Sequence, residues 1–188
     1  AGGIDTLDLS GFKSPSRIDL EPGTFSDAGG MTGNISIAYG AFIENAVGGS
    51  GNDLVRGNSA SNVIEGGGGG DTLYGSAGAD IFRFNALADS RTYGHRSDGR
   101  KLLPDFLADF ESGVDRIDLS AVDAIAGTAE NDSFTYIGSN SFSSRAGELR
   151  HEVRDSRVHV YGDMDGDGVA DLHIIVAGTA IQPTDFLL

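Results

Sequence analysis

Between Gly48 and Arg83 the apolar positions recur every nine residues. Four units follow one another without a gap: GGSGNDLVR (48–56), GNSASNVIE (57–65), GGGGGDTLY (66–74) and GSAGADIFR (75–83). Their eighth positions are Val55, Ile64, Leu73 and Phe82, and their sixth positions are Asp53, Asn62, Asp71 and Asp80. A nine-residue unit ending in three residues around one obligatory apolar side chain is too short for a helical hairpin. It suits a glycine-rich turn followed by a very short strand. Two units then close one coil of a parallel β-roll, with the eighth-position side chains stacked inward and glycine supplying the positive φ angles of the turns. One unit alone buries almost nothing, so the four must stack.

The flanks carry a looser strand pattern. Upstream, the short alternating runs Thr6-Leu7-Asp8-Leu9, Arg17-Ile18-Asp19-Leu20 and Asn34-Ile35-Ser36-Ile37, broken by Gly and Pro, read as β-sheet capping the roll. Ala1 to Leu7 look like the back half of a further repeat, so the chain reads as starting in mid-motif, as a fragment of a longer protein would. Downstream, Arg91 to Lys101 is the basic stretch and reads as a solvated polar loop. Within Leu103 to Ala121 the pattern predicts a short helix or turn around Phe106 to Phe110 and a strand at Arg116 to Leu119. Strand signals at Arg157 to Tyr161 and Leu172 to Ala177 flank the turn DMDGDGVAD (163–171) as a hairpin. The expected fold is all-β: a parallel β-roll with flanking β-sandwich-like antiparallel strands. It divides into an N-terminal cap (1–47), the roll (48–90) and a C-terminal extension (91–188).

Composition narrows the chemistry. The 188 residues include 29 Gly but only 4 Pro, which excludes collagen and a Pro-rich linker. Lys+Arg 13 against Asp+Glu 28 leaves a formal charge of -15, which repels a nucleic-acid backbone and attracts cations. Of the acidic residues, 21 are Asp and 7 are Glu, the ratio expected of carboxylates placed in turns rather than on helices. The absence of Cys removes disulfides and thiolate zinc sites, and no zinc is expected. No apolar run is long enough for a membrane helix, and no basic segment leads into an apolar one at the start of the sequence.

In a turn of sequence G-G-x-G-x-D, backbone carbonyls converge on an Asp carboxylate, giving the oxygen-only ligation that Ca²⁺ takes and that suits Mg²⁺ less well. A turn two repeats further on supplies the other half of each site. This sets Gly49, Gly51 and Asp53 against Gly66, Gly67, Gly68, Gly69 and Asp71, and Asn58, Ala60 and Asn62 against Gly75, Ala77, Gly78 and Asp80. Stacked aspartates repel unless a cation neutralises them, whereas a bare solenoid turn would need no metal. A second cluster, Asp163, Asp165, Asp167 and Asp171 with Gly168, follows EF-hand loop spacing but has Ile174 where the bidentate Glu belongs. A weak Ca²⁺ site and a polar hairpin turn are both open there. Catalytic signatures are thin. His151-Glu152 does not complete H-E-x-x-H, no Ser sits in G-x-S-x-G, and the glycine-rich turns lack the Lys of a phosphate-binding loop. His159 and His173 read as exposed or cross-strand polar residues rather than as ligands.

The segment FSDAGGMTGNISIAYGAFIENAVGGSGND (25–53), the nonapeptides, the block DFLADFESGVDRIDLS (105–120), FSSRAGELR (142–150) and the terminal DFLL (185–188) together resemble the C-terminal RTX domain of serralysin-type secreted metalloproteases. The resemblance implies a Ca²⁺-binding, non-catalytic module attached to an N-terminal zinc protease domain. It also implies folding outside the cell and an uncleaved C-terminal signal for type I secretion through an ABC transporter, with DFLL as that signal or as a plain closing strand. By position, Gly2, Gly3 and Asp5 would join the carbonyl of Phe42 and the carboxylate of Glu44 in a further site, and Asp89 and Asp105 would close the last site together with Asp80. The expected protein is thus secreted and extracellular, folds as Ca²⁺ fills its turns, binds no nucleic acid and has no membrane span. The rival reading is the RTX end of another secreted enzyme, such as a lipase or polysaccharide-modifying enzyme, or of an adhesin. A further rival is an enzyme in its own right, housed in residues 122–161.

Overall fold

A computed structural model describes residues 2–92, 94–95 and 101–188, and for 94–95 and 101–102 the backbone only. Among the described residues two large sheets build the molecule, beside two small two-stranded ones, one of them Phe25–Ser26 with Ile35–Ser36. The first consists of six parallel strands in the order Thr6–Asp8, Asn45–Val47, Val63–Glu65, Ile81–Arg83, Arg116–Asp118 and Phe186–Leu187. The second begins with Arg17–Asp19, Leu54–Arg56, Thr72–Tyr74, Asp105–Leu107 and Leu172–Ala177 in parallel. It continues through Arg157–Asp163 and Glu148–Arg154 as antiparallel strands and ends at Thr135–Tyr136.

Successive nonapeptides feed the two sheets alternately, so residues two units apart become neighbours: Asn45 pairs Val63, Leu54 pairs Thr72, and Val63 pairs Ile81. The nine-residue period becomes two facing columns of inward side chains. One runs Leu7, Ala46, Ile64, Phe82, Ile117, Phe186. The other runs Ile18, Val55, Leu73, Leu107, Val176, Val158. All except Leu7 are buried. At about 1.5–3 kcal/mol for each fully buried large apolar side chain, these columns are the main source of stability in a fold whose strands are mostly two or three residues long.

The coil geometry does not stop at residues 48 and 90. Strands from both flanks extend the same ladders, and the roll and the antiparallel hairpin share one sheet. The expected helix or turn at Phe106 to Phe110 is corrected in its first half: Asp105–Leu107 is a strand. Leu107 fits between Leu73 and Val176, and that pairing overrides the local apolar spacing. The expected hairpin around 163–171 forms, with Val160 opposite Ile174. Most of the basic loop, and with it the solvated reading, lies outside the described residues. Within that loop Gly94–His95 and Lys101–Leu102 pair antiparallel.

Candidate metal centre

Each turn delivers its sixth-position residue two places ahead of an inward apolar side chain, so the sixth positions form ladders of their own along the two edges of the roll. On the first edge the carboxylates are Asp53, Asp71 and Asp105, all buried. Ser16 N donates to Asp53 Oδ1 at 2.7 Å, Asp53 N to Asp71 Oδ1 at 2.7 Å, and Asp71 N to Asp105 Oδ1 at 2.8 Å. Gly49 N holds the second oxygen of Asp53 at 2.6 Å. The second oxygens of Asp71 and Asp105 are buried and accept no hydrogen bond. A buried carboxylate oxygen left in this state costs on the order of 1–3 kcal/mol or more.

The electrostatics agree. Burial pushes the Asp71 carboxyl up to about 8, with Asp53 and Asp89 adding repulsion. Burial also raises Asp105 well above the carboxylate range, with Asp71, Asp89 and Asp53 contributing. Asp53 and Asp89 are raised by burial as well. The glycines are fitted to this edge. Gly68 N reaches Gly49 O at 2.9 Å. At Gly67 (φ 82°) a Cβ would strike Gly49 O, and at Gly69 (φ 144°) it would strike Gly51 O. The turns therefore stack backbone on backbone at a distance that a side chain would block, and the carbonyl and carboxylate oxygens they carry are of the kind that suits a hard cation such as Ca²⁺.

The second edge carries Asn58, Asn62, Asp80 and Asp115, all buried. Asn58 N donates to Asn62 Oδ1 (2.9 Å), Asn62 N to Asp80 Oδ1 (2.8 Å), Asp80 N to Asp115 Oδ1 (3.0 Å) and Glu111 N to Asp115 Oδ2 (2.8 Å). The asparagine amides also donate: Asn62 Nδ2 to Glu44 O at 2.9 Å and Asn58 Nδ2 to Ile43 O at 2.8 Å. Ala60 N donates to Asn58 Oδ1 and Ala77 N to Asn58 O. Asp80 is raised to about 7 by burial, with Asp115 and Asp109 adding repulsion, and Asp109 accepts from Gly75 N and Ser76 N.

The pairing of turns expected from the repeats is found on both edges. The expected grouping of Asp80 with Asp89 and Asp105 is not. Asp89 and Asp105 belong electrostatically with Asp71 on the first edge, while Asp80 faces Asp109 and Asp115 on the second. The reason is the alternation of sheets: Asp105 opens a strand of the second sheet, and Asp80 and Asp115 precede strands of the first. At the start of the chain Asp5 N donates to Glu44 Oε2 at 2.8 Å, so those two are together. Gly2 and Gly3 are exposed beside them, and Phe42 is 47% exposed.

Asp115, Asp109 and Ser90 are functional candidates that the period did not reveal; Ser90 Oγ accepts from Asp105 N at 2.9 Å. A finer signal finds Asp115. A polar residue stands two positions ahead of the inward side chain in Asp5/Leu7, Ser16/Ile18, Glu44/Ala46, Asp105/Leu107 and Asp115/Ile117, as it does in all four nonapeptides.

In the hairpin turn, ligand atoms of Asp163, Asp165 and Asp171 lie within 4.8 Å of one another, without Asp167. Both oxygens of Asp163 are already taken by Gly166 N and Gly168 N at 2.7 and 2.9 Å, and Asp171 Oδ2 by Met164 N at 2.9 Å. His159 and His173 are buried rather than exposed, with Nδ1 and Nε2 2.9 Å apart across neighbouring strands. The terminal segment closes the first sheet: Phe186 pairs Ile117, and buried Asp185 accepts from Ser112 Oγ (2.7 Å), Gly113 N and Gln182 N (both 2.9 Å). Among the described residues no helix is long and apolar enough to cross a membrane.

Solved structures with the same fold include the AlgE6R3 and AlgE6R2 subunits of the Azotobacter vinelandii mannuronan C5-epimerase. Each has a TM-score of 0.52 over 99% of this chain, and they cover 80% and 92% of those subunits at 20% and 19% identity. Serralysin G and Serralysin C of Dickeya chrysanthemi are 42% and 46% identical to it over 190 residues, and Serralysin of Photorhabdus luminescens is 42% identical over 193. Each match takes in all of this chain but only 38% of the relative, so the chain spans under two fifths of their length. The family model described as Peptidase M10 serralysin C terminal matches residues 1–188, and the chain belongs to that family.

Proposed function

We propose that this chain is the calcium-binding β-roll module of a longer, secreted, serralysin-like metalloprotease, itself non-catalytic. The observation that carries the reading is the pair of buried, unpartnered carboxylate oxygens on Asp71 and Asp105, near enough to Asp53 and Asp89 that burial and mutual repulsion oppose ionisation. Bound Ca²⁺ supplies two positive charges and oxygen coordination in place of the missing donors. Asp53, Asp71, Asp89 and Asp105, with the carbonyls of Gly49 and Gly51, hold it on the first edge. Asp80, Asp109 and Asp115 are the corresponding set on the second, and Asp5 with Glu44 a further one. Because unfolded chain has no such arrangement, the ion shifts the equilibrium toward the fold. A chain kept calcium-poor before export stays unfolded and folds outside the cell. Asp185-Phe186-Leu187-Leu188 is the export signal in this reading.

Far-ultraviolet circular dichroism with Ca²⁺ titrated into chelated protein tests it, with calorimetry counting the ions. A calcium-dependent gain of β-structure is expected. Equal folding in excess chelator overturns the reading. The parent's protease identity is tested by the upstream sequence, which should contain H-E-x-x-H-x-x-G-x-x-H, and the 188-residue chain should hydrolyse no peptide.

A further inference from the structure

Residues 182–188 are clamped to a turn of the second edge. Buried Asp185 takes three donors there: Ser112 Oγ at 2.7 Å and Gln182 N at 2.9 Å on one carboxylate oxygen, and Gly113 N at 2.9 Å on the other. Two of the three belong to the turn 111–115. Gly113 bends that turn with φ 89°, and Gln182 Nε2 lies 3.0 Å from where a Cβ on it would stand. Beyond the clamp Phe186 pairs Ile117, Leu187 pairs Asp118, and Leu119 N donates to Leu187 O at 2.8 Å.

The same turn ends on Asp115, the last carboxylate of the second edge. Its internal bond is that of a nonapeptide turn: Glu111 N donates to Asp115 Oδ2 at 2.8 Å as Gly49 N donates to Asp53 Oδ2 at 2.6 Å, four residues back in each case. Its outer support differs. Along the ladder each turn is held by the next carboxylate, Asn62 N by Asp80 Oδ1 and Asp80 N by Asp115 Oδ1. Asp115 N donates instead within its own turn, to Glu111 O at 2.9 Å. Asp185 replaces the next rung, gripping the turn two and three residues earlier, at Gly113 and Ser112.

We infer that Asp185 is a positioning residue for the cation site of the second edge: it fixes the turn 111–115, so that ion binding by Asp80, Asp109 and Asp115 and docking of residues 182–188 favour one another. The inference rests on the calcium reading of that edge. Both oxygens of Asp185 already serve donors, so it acts through the turn and not as a ligand. Because Asp185 and Phe186 are both buried, undocking frees the tail and the turn together. Such coupling is reciprocal: the tail tightens the ion by the same factor as the ion tightens the tail.

The test compares wild type, Asp185→Ala, Ser112→Ala and Asp71→Ala in the full-length protein, by calcium calorimetry and by hydrogen exchange of residues 182–188. Asp185→Ala should weaken one class of ions about tenfold and leave unchanged the class that Asp71→Ala removes. Ser112→Ala, which takes away a single donor and disturbs the fold less, should weaken the same class about threefold. In wild type, calcium should slow exchange in residues 182–188, also by about tenfold, and Asp115→Asn should abolish that gain. A tail equally protected with and without calcium, or ion affinities untouched by Asp185→Ala and Ser112→Ala, overturns the inference and leaves the calcium reading standing. A wild type that takes up no calcium overturns both.

Discussion

The two edges of the roll are built from the same nine-residue unit and solve the same problem differently. On the first edge every sixth position is Asp, the carboxylates stack amide to oxygen, and the oxygens of Asp71 and Asp105 that face away from the ladder have no donor. On the second edge Asn62 stands in a sixth position where the first edge has Asp, and Asn58 stands where the first edge has Gly49. Their side-chain amides donate to the carbonyls of Ile43 and Glu44 and so supply from within the protein part of what the first edge lacks. An Asp-to-Asn exchange at constant shape thus separates a turn whose buried carboxylate oxygens lack a donor from one that is partly satisfied. It follows that calcium dependence should be graded along the molecule, strong on the Asp edge and weak around Asn58 and Asn62.

The largest effect that can break this contrast comes from one truncation on each edge. Asp71→Ala removes the acceptor of Asp53 N and the central charge of the Asp edge. In saturating Ca²⁺ it should cost about 3 kcal/mol or more and lower the number of ions counted by calorimetry. Asn62→Ala removes the donors to Glu44 O and Asn58 Oδ1 and should cost about 1–3 kcal/mol equally in Ca²⁺ and in chelator. Urea midpoints under both conditions decide; a calcium-dependent penalty for Asn62→Ala would mean that the edges are alike.

Proton competition gives the next effect. In the metal-free fold Asp71 sits at about 8 and Asp80 at about 7, against 3.8 for a free carboxyl. The folded state therefore binds more protons than the unfolded one in this window. Stability in chelator should fall as pH rises from about 4 toward 8, by several kcal/mol at about 1.4 kcal/mol for each pH unit by which a carboxyl is raised. In saturating Ca²⁺ that decline should disappear, because calcium binds the ionised form. Smaller still is the conversion Asn62→Asp, which copies the first edge onto the second. It should cost about 1–2 kcal/mol in chelator and recover in Ca²⁺, as read from the shift in thermal midpoint between the two conditions.

The nonapeptides made the roll, its two inward columns and the stacking of alternate turns legible, since Val55, Ile64, Leu73 and Phe82 keep both spacing and chemistry. Outside residues 48–83 the spacing lapses while the geometry continues. Asp105 and Asp115 occupy the same ladder positions as Asp71 and Asp80 without a glycine-rich turn ahead of them, so a search by period passes over Asp115. The strand Asp105–Leu107 was obscured for a related reason: Phe106, Leu107 and Phe110 carry a locally helical spacing, and only the slot between Leu73 and Val176 selects the extended form. The assignment of Asp80 to its partners failed because a linear repeat does not state which sheet each strand joins. Glu148–Arg154 is long but alternates charged with mixed residues and gains its inward Leu149 only by pairing with Gly162.

The smallest expected effect lies off both edges and serves as the control for them. His159 and His173 are buried on neighbouring strands of the hairpin, ring against ring at 5.2 Å, with Tyr161 stacked on His173 at 4.5 Å. Burial, then the neighbouring His159 and Arg154, lowers His173 to about 4, and burial lowers His159 as well. For a histidine depressed in the fold, the unfolded state takes up the proton first. Stability is therefore complete above about 6.5 and drains away as pH falls toward 4. His173→Phe keeps the aromatic packing and removes this titration, so the stability difference between wild type and variant should shrink as pH falls over that interval. The change should be the same at low and saturating Ca²⁺. If instead it grew with calcium, the hairpin would be coupled to the ion-binding edges, and the contrast between Asp and Asn turns would no longer account for the whole calcium response.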